Sequence, residues 1–264
     1  MIRLEAGQAT DRGRRREKNE DSMLAANDLF AVADGLGGHR GGEVASALAV
    51  ETLAAEVQAA VQARTDTRRR SFRRRHPHSP VPTVEELLDA VDRANQEILA
   101  KSKSTPELAG MGTTLCALVV VEHDDSETLA VVNVGDSRVY RCDESGFHQV
   151  TEDHTVVQEM LKAGMITPEE AEIHESRNHL SRALGIESNV AVDNWTLDPV
   201  SGHRYLLCSD GLNHEVADRD IHAALLQYEG PTEAADALVD LALRRGGSDN
   251  ITVIVVDVAE VALP

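Results

Sequence analysis

Cysteine is scarce in this sequence, basic residues are outnumbered, and no long apolar run is present. Only three cysteines occur in 264 residues, Cys116, Cys142 and Cys208, each inside an apolar or strand-like run. An odd number so placed argues against a disulfide framework. Lysine and arginine total 26 against 45 aspartates and glutamates, a net charge of −19. Such a chain is unsuited to wholesale binding of nucleic-acid phosphates or an anionic membrane. No stretch approaches the roughly 18 uninterrupted apolar residues of a membrane span. The N-terminus, MIRLEAGQATDRGRRREKNED, lacks the apolar region of a signal peptide, so the expectation is a cytoplasmic chain. What is present is an ordinary globular mixture, 42% apolar and 27% charged, long enough to bury a full core. Residues 1–264 are read as one domain and the chain as a monomer.

The elements alternate in a definite order. SMLAANDLFAVAD (22–34) reads as two strands around a turn at Asn27 and Asp28. GGEVASALAVETLAAEVQAAVQA, from Gly41, carries Val44, Leu48, Leu53, Val57 and Val61 at helical spacing. A second helix starts at Thr83, whose hydroxyl can cap the free amides while Glu86 reaches back to the cap. Four strand-like runs follow, TTLCALVVVE, ETLAVVNVG, SRVYRCD and FHQVT, and read as one antiparallel meander. Two short helices, two strands, two longer helices stopped by Gly246 and Gly247, and a buried strand, ITVIVVDV, complete the chain. The order predicts a layered α+β domain with sheets in the middle.

Acidic residues fall at particular places in that pattern. Glu20 and Asp21 open the first hairpin, Asp34 ends its second strand, Asp136 lies in NVGDSR, Asp210 ends LLCSDG and Asp249 precedes the last strand. Any one Asp-Gly can be a plain turn. Five aspartates at strand ends are poorly explained that way, because strand ends are where acids from distant sequence can converge on one sheet edge. Carboxylate oxygens are hard ligands suited to Mg2+ or Mn2+, and no His/Cys cluster with zinc spacing competes. Without a cation such a cluster repels itself.

Six motifs, REKNED (16–21), VADGLGG (32–38), GTT (112–114), VGDSR (134–138), CSDG (208–211) and SDN (248–250), resemble in content and order those of the metal-dependent PP2C-type serine/threonine phosphatases, bacterial branch. The match covers nearly the whole chain. The resemblance implies a four-layer α-β-β-α sandwich with two central, mostly antiparallel sheets and a metal centre at one end. It implies that Asp34 bridges two Mn2+ or Mg2+ ions with the Gly35 carbonyl completing a shell. Asp210 and Asp249 would hold the first metal, and Glu20 and Asp21 would act mostly through waters. Asp136 with Asp210 would bind a third, weaker ion. Arg16 would grip the substrate phosphate in bidentate fashion. The implied reaction is in-line attack of a metal-bridging hydroxide on phosphoserine or phosphothreonine in proteins, opposing a bacterial Ser/Thr kinase that shares those substrates.

Leu36 occupies the position where eukaryotic relatives carry a His that protonates the leaving group. Water or another histidine must then serve. His39 and His154 are the candidates for that general acid, with a structural or surface role as the alternative for each. Residues 151–185 lie where the family carries a mobile flap beside the active site, or are a pair of packing helices with no part in substrate choice. Residues 64–82 read as an inserted basic loop, solvated and disordered, or docking on an acidic surface with Ser71 as a phosphorylation site. A cysteine-dependent phosphatase is excluded, since that chemistry needs an Arg six positions after the Cys, and positions 122, 148 and 214 are Glu, His and His. A catalytically dead phosphoprotein-binding scaffold of the same fold is the alternative function.

Overall fold

Strands whose residues are apolar on both faces build the centre of the molecule. The computed structural model describes residues 2–26, 28–36, 41–70, 80–124 and 126–261. One sheet runs in the order β1 (Ile2–Asp11), β11 (Ile251–Val261), β10 (Arg204–Cys208), β7 (Arg138–Asp143), β8 (Gly146–Gln149). The other runs β2 (Asp21–Ala26), β3 (Leu29–Leu36), β5 (Leu115–His123), β6 (Ser126–Val134), β9 (Asp193–Leu197), and the two-residue β4 (Gly112–Thr113) pairs with the end of β3. Every ladder between named strands is antiparallel.

Alternation along each strand assigns its two faces. Phe30 and Val32 of β3, with Cys116 and Leu118 of β5, point toward the opposite sheet and meet Tyr205, Leu207, Ile254 and Val256. The intervening Ala31, Ala33, Ala117 and Val119 face α1 (Gly41–Arg70) and α2 (Val84–Ser104). Alanines on β3 lie in one cluster with Ala45 and Ala49 of α1, so that the helix sits close over the strand. On the far side, Leu206, Val253 and Val255 pack on α5 (Asp210–Asn213), α6 (Asp218–Gln227) and α7 (Pro231–Arg245). Three cores separate four layers, the α-β-β-α sandwich. Each fully buried Leu such as Leu53 or Leu238 contributes roughly 1.5–3 kcal/mol.

Local signals hold where they are strong. Thr83 and Glu86 form the reciprocal capping box, and Gly246 and Gly247 both adopt positive φ at the end of α7. Three expectations are corrected. The four central strands are not one meander: β5 and β6 lie in one sheet, β7 and β8 in the other, and the chain crosses between them at Gly135 to Ser137, with Gly135 at φ +108°. The basic segment is not a loop from 64: α1 continues to Arg70, and Arg64 bridges Glu122 at 2.7 Å and Glu86 at 3.5 Å, tying the two helices together. Residues 71–79, including Ser71, lie outside the described residues. Finally, β1 is an additional strand, mostly polar because it is a sheet edge paired only with β11. By length and mean hydropathy alone α1 over Gly41–Asp66 could cross a membrane, yet its Ala45, Ala49 and Leu53 are buried against β3 and β5.

Candidate active site

Antiparallel pairing gathers the acids at one end of the sandwich. Asp21 opens β2 directly opposite Asp34 of β3. In the other sheet Cys208 closes β10 opposite Arg138, the first residue of β7, and opposite Val253 near the start of β11. Asp136, Asp210 and Asp249 therefore share that edge although more than a hundred residues separate the first from the last. Hydrogen bonds clamp the two edges together. Ser209 Oγ donates to Asp21 Oδ2 at 2.7 Å, the Thr114 and Ser137 hydroxyls pair at 2.6 Å, and the Glu20 amide donates to Asn250 Oδ1 at 2.8 Å.

Glycine at position 35 is required by a close backbone approach. A Cβ there would lie 2.2 Å from the Gly42 carbonyl oxygen and 2.6 Å from that of Glu20. The N-terminus of α1 and the residue before β2 are thus pressed against the strand that carries Asp34.

The electrostatics of this end are unfavourable as the side chains stand. Burial, reinforced by Asp21, Asp210, Asp136 and Asp249, holds the Asp34 carboxyl well above the ordinary range. Burial pushes Asp21 up to about 7 against the hydrogen bonds from Thr252 and Ser209. Asp136 is pushed up to about 8, by burial and then by Asp210. Asp210 is raised by burial, opposed chiefly by His214, whose Nδ1 lies 3.4 Å from Asp210 Oδ2. Burial also raises Glu20. Two buried oxygens, Asp21 Oδ1 and Asp210 Oδ1, have no hydrogen-bond partner among the described residues. Among the described residues no three acidic, His or Cys side chains already stand at metal-ligand spacing. Buried acids with unpartnered oxygens and a like-charged neighbourhood have the chemistry of a divalent-cation site. Arg16 faces them: its Nη2 donates to Asp249 Oδ2 at 2.6 Å, and its side chain is half exposed.

The residues singled out by sequence divide accordingly. Arg16, Asp21, Asp34, Asp136, Asp210 and Asp249 come together, with Glu20 and Gly35 beside them. His154 does not join the acids. It is fully buried, Nδ1 accepts from the Gly135 amide at 3.1 Å, and Nε2 stands 3.1 Å from Asp193 Oδ2 and 3.2 Å from Arg182 Nη1. Accepting at Nδ1 puts the ring proton on Nε2, directed at Asp193. Both nitrogens are engaged within this buried network, and burial lowers the ring's pKa. His39 lies outside the described residues.

Sequence reasoning missed the hydroxyl and amide frame: Thr114, Ser137, Ser209 and Asn250 sit inside the very motifs that carry the acids. It also missed His214, one helical turn beyond Asp210. A cavity of about 470 Å³ opens beside Asp136, Asp210 and His214, and its other wall comes from Val157, Gln158 and Arg177. Those last residues belong to the 151–185 segment, where α3 (Val156–Lys162) and α4 (Pro168–Glu172) lie. Backbone bridges Thr155–Leu180 and Thr113–Leu184 anchor the two ends of that segment.

Comparison with known proteins points the same way as this geometry. A family model described as protein phosphatase 2C matches residues 12–242. The chain is 40% identical over 257 residues to the serine/threonine protein phosphatase PstP of Mycobacterium tuberculosis, covering 95% of this chain and 44% of that protein. It is 37% identical over 257 residues to the serine/threonine phosphatase stp of Listeria monocytogenes, covering 94% and 93%. It thus spans less than half the length of the mycobacterial relative and nearly all of the listerial one. The crystal structure of the M. tuberculosis phosphatase PstP/Ppp is similar at a TM-score of 0.81 and 38% identity, covering 98% of this chain and 100% of that one. A structure of the PstP catalytic domain in complex with two manganese ions is similar at 0.77 and 38% identity, covering 97% and 99%.

Proposed function

Because the chain belongs to the protein phosphatase 2C family, we propose that it is a divalent-metal-dependent phosphatase that hydrolyses phosphoserine and phosphothreonine in proteins. The observation that carries this reading is the convergence of five aspartates from five motifs and two sheets, facing an arginine, at one end of the sandwich.

The residues fit the cations the family uses. Asp34 with the Gly35 carbonyl, Asp210 and Asp249 would hold the cations. Glu20 and Asp21 would contribute through waters, and Asp136 with Asp210 would hold a further, weaker ion. Mn2+ or Mg2+ held there would supply Lewis-acid chemistry, lowering the pKa of a bound water and offsetting charge on the phosphoryl oxygens. The chain's own part is to hold these carboxylates in a hydroxyl frame and to offer Arg16, whose fork matches two phosphoryl oxygens. Cysteine chemistry is not needed: all three thiols are buried, and burial raises the pKa of each. The 151–185 segment, walling the cavity beside Asp136, is read as a flap that receives residues flanking the phosphorylated one. In this reading the partners are phosphoproteins and a Ser/Thr kinase acting on them, and the chain works as a cytoplasmic monomer of one domain.

Hydrolysis of an aryl phosphate with Mn2+, with Mg2+ and with chelator tests the reading. Turnover that requires the cation is expected. Absence of turnover under all three conditions, with phosphopeptide binding retained, would select the dead scaffold instead.

A further inference from the structure

The strongest basic cluster among the described residues belongs to none of the roles above. Between Arg12 and Lys18 the sequence RGRRREK places five cationic side chains against one acid, Glu17, in a protein of net charge −19. Arg16 is engaged with Asp249 and Lys18 with Glu43 at 2.8 Å. Arg14 and Arg15, at the tip of the turn over 13–15, are exposed and form no ion pair among the described residues. Arg14 Nε donates only to the Leu243 carbonyl at 2.9 Å. Arg15 lies near Glu215, whose carboxylate already accepts from the Ser248 amide at 2.8 Å and from the Ser248 hydroxyl.

The turn is held rigidly beside the acids. Gly13 adopts φ +76°, and a Cβ on it would lie 2.0 Å from the Asp249 carbonyl oxygen, so the turn's backbone is seated on the residue that Arg16 pairs with. The Arg14 amide donates to the Gly247 carbonyl at 2.7 Å, and the Gly13 amide donates to Asp11 Oδ1 at 2.7 Å. Two guanidinium groups that form no ion pair among the described residues are therefore presented within two residues of the arginine read as the phosphate grip. The chain between them spans at most about 7 Å, which is also the spacing of residues i and i+2 in an extended peptide. The cavity beside Asp136 and Asp210 is lined by other residues, so the basic turn flanks the acids without joining that wall.

We infer that Arg14 and Arg15 form a specificity rim that selects phosphoprotein segments carrying a carboxylate or a second phosphate about two residues from the phosphorylated residue, on one side only. This rests on the proposed phosphatase reading. The physical need is plain: an acidic segment approaching a protein of net charge −19 meets a repulsive overall field, and two exposed guanidinium groups reverse the sign locally beside the phosphate grip. Arginine suits either anion, because its fork of N–H groups donates to two oxygens of a carboxylate or a phosphate.

The test uses phosphothreonine peptides of one sequence with Ala, Glu or phosphoserine two residues before or after the phosphothreonine. For the wild type at low salt, kcat/KM is expected to be about fivefold or more higher for the acidic peptides on one side, the gain shrinking at high salt. Arg14→Ala/Arg15→Ala should bring acidic and neutral peptides within about twofold of each other, while aryl phosphate turnover and Tm stay near wild type. Arg14→Lys/Arg15→Lys should retain part of the preference. Anisotropy of labelled phosphonate peptides with Mn2+ present reads the same preference as affinity whether or not turnover occurs. Loss of all aryl phosphate turnover in the wild type would overturn the phosphatase reading alone. No preference for acidic peptides in either measurement, or a preference that survives the double alanine change, would overturn the rim.

Discussion

Two sets of buried or half-buried acids coexist in this protein, and they differ in what faces them. In the first set each acid has its own cation. Asp153 receives Arg138 Nε at 2.9 Å and Nη2 at 2.6 Å. Asp257 receives Arg204 at 2.6 and 2.7 Å, and Asp193 is held by Arg182 at 2.8 Å and His154 at 3.1 Å. In the second set Asp21, Asp34, Asp136 and Asp210 crowd one another, with the His214 imidazole beside Asp210, and two of their oxygens are unpartnered among the described residues. An acid supplied with a cation by the fold is structure. An acid supplied with other acids is a cost that the fold carries for a ligand.

The contrast breaks most sharply at Asp34. Asp34→Asn should remain folded yet lose at least about 10³-fold in Mn2+-dependent turnover, since one side chain serves the whole centre. Near-normal turnover would remove Asp34 from the site. The opposite behaviour is expected at Asp153. Asp153→Asn strands the largely buried Arg138 guanidinium and should cost about 3 kcal/mol in denaturant unfolding. A change well under 1 kcal/mol would make that pair decorative.

The second set also has a signature in pH. Asp21 is pushed up to about 7 and Asp136 to about 8, so the folded chain binds protons that the unfolded chain has released. Stability of the chelated protein should therefore be full below about pH 4 for these groups and should fall as pH rises from about 4 to about 8. Mn2+ should offset that fall, because a cation replaces the protons. Thermal melts with chelator and with Mn2+ across this range make the measurement. A chelated protein whose Tm rises over the same interval would contradict the reading.

His154 gives the smallest and most discriminating effect. Asn places an acceptor where Nδ1 meets Gly135, whereas Gln places a donor where Nε2 meets Asp193. If the Gly135 contact positions the crossing that bears Asp136, His154→Asn should keep turnover within about threefold and keep a weak metal site in calorimetry, while His154→Gln should lose more of both. Equal effects of the two would leave the ring with packing alone.

Much of this architecture is legible along the chain itself. The acids stand at strand ends in the sequence, the capping box of α2 is written in Thr83 and Glu86, and β11 is an apolar run bounded by turn residues. Each is a local signal, carried by neighbours along the chain. The parts that the chain hides are non-local. β1 is polar because its only ladder is with β11 at the sheet edge, and nothing in its own residues announces a partner at the opposite end of the sequence. The central strands read as a meander because pairing of β6 with β7 and crossing to another sheet use the same strand and turn residues. Arg64 reads as one of a basic run because Glu86 and Glu122 approach it only when α1 packs against α2 and β5.

The sequence by itself determined which residues carry charge at strand ends, which faces of the central strands are apolar, and where α2 starts and α7 stops, since propensity, capping and periodicity act over a few residues. Only the tertiary structure decided which acids share an environment, that His154 turns inward to Gly135 and Asp193, and that the turn bearing Arg14 and Arg15 is seated on Asp249. Those outcomes depend on antiparallel register and on which sheet each strand joins. Both are set by burial of three cores at once rather than by any stretch of chain alone.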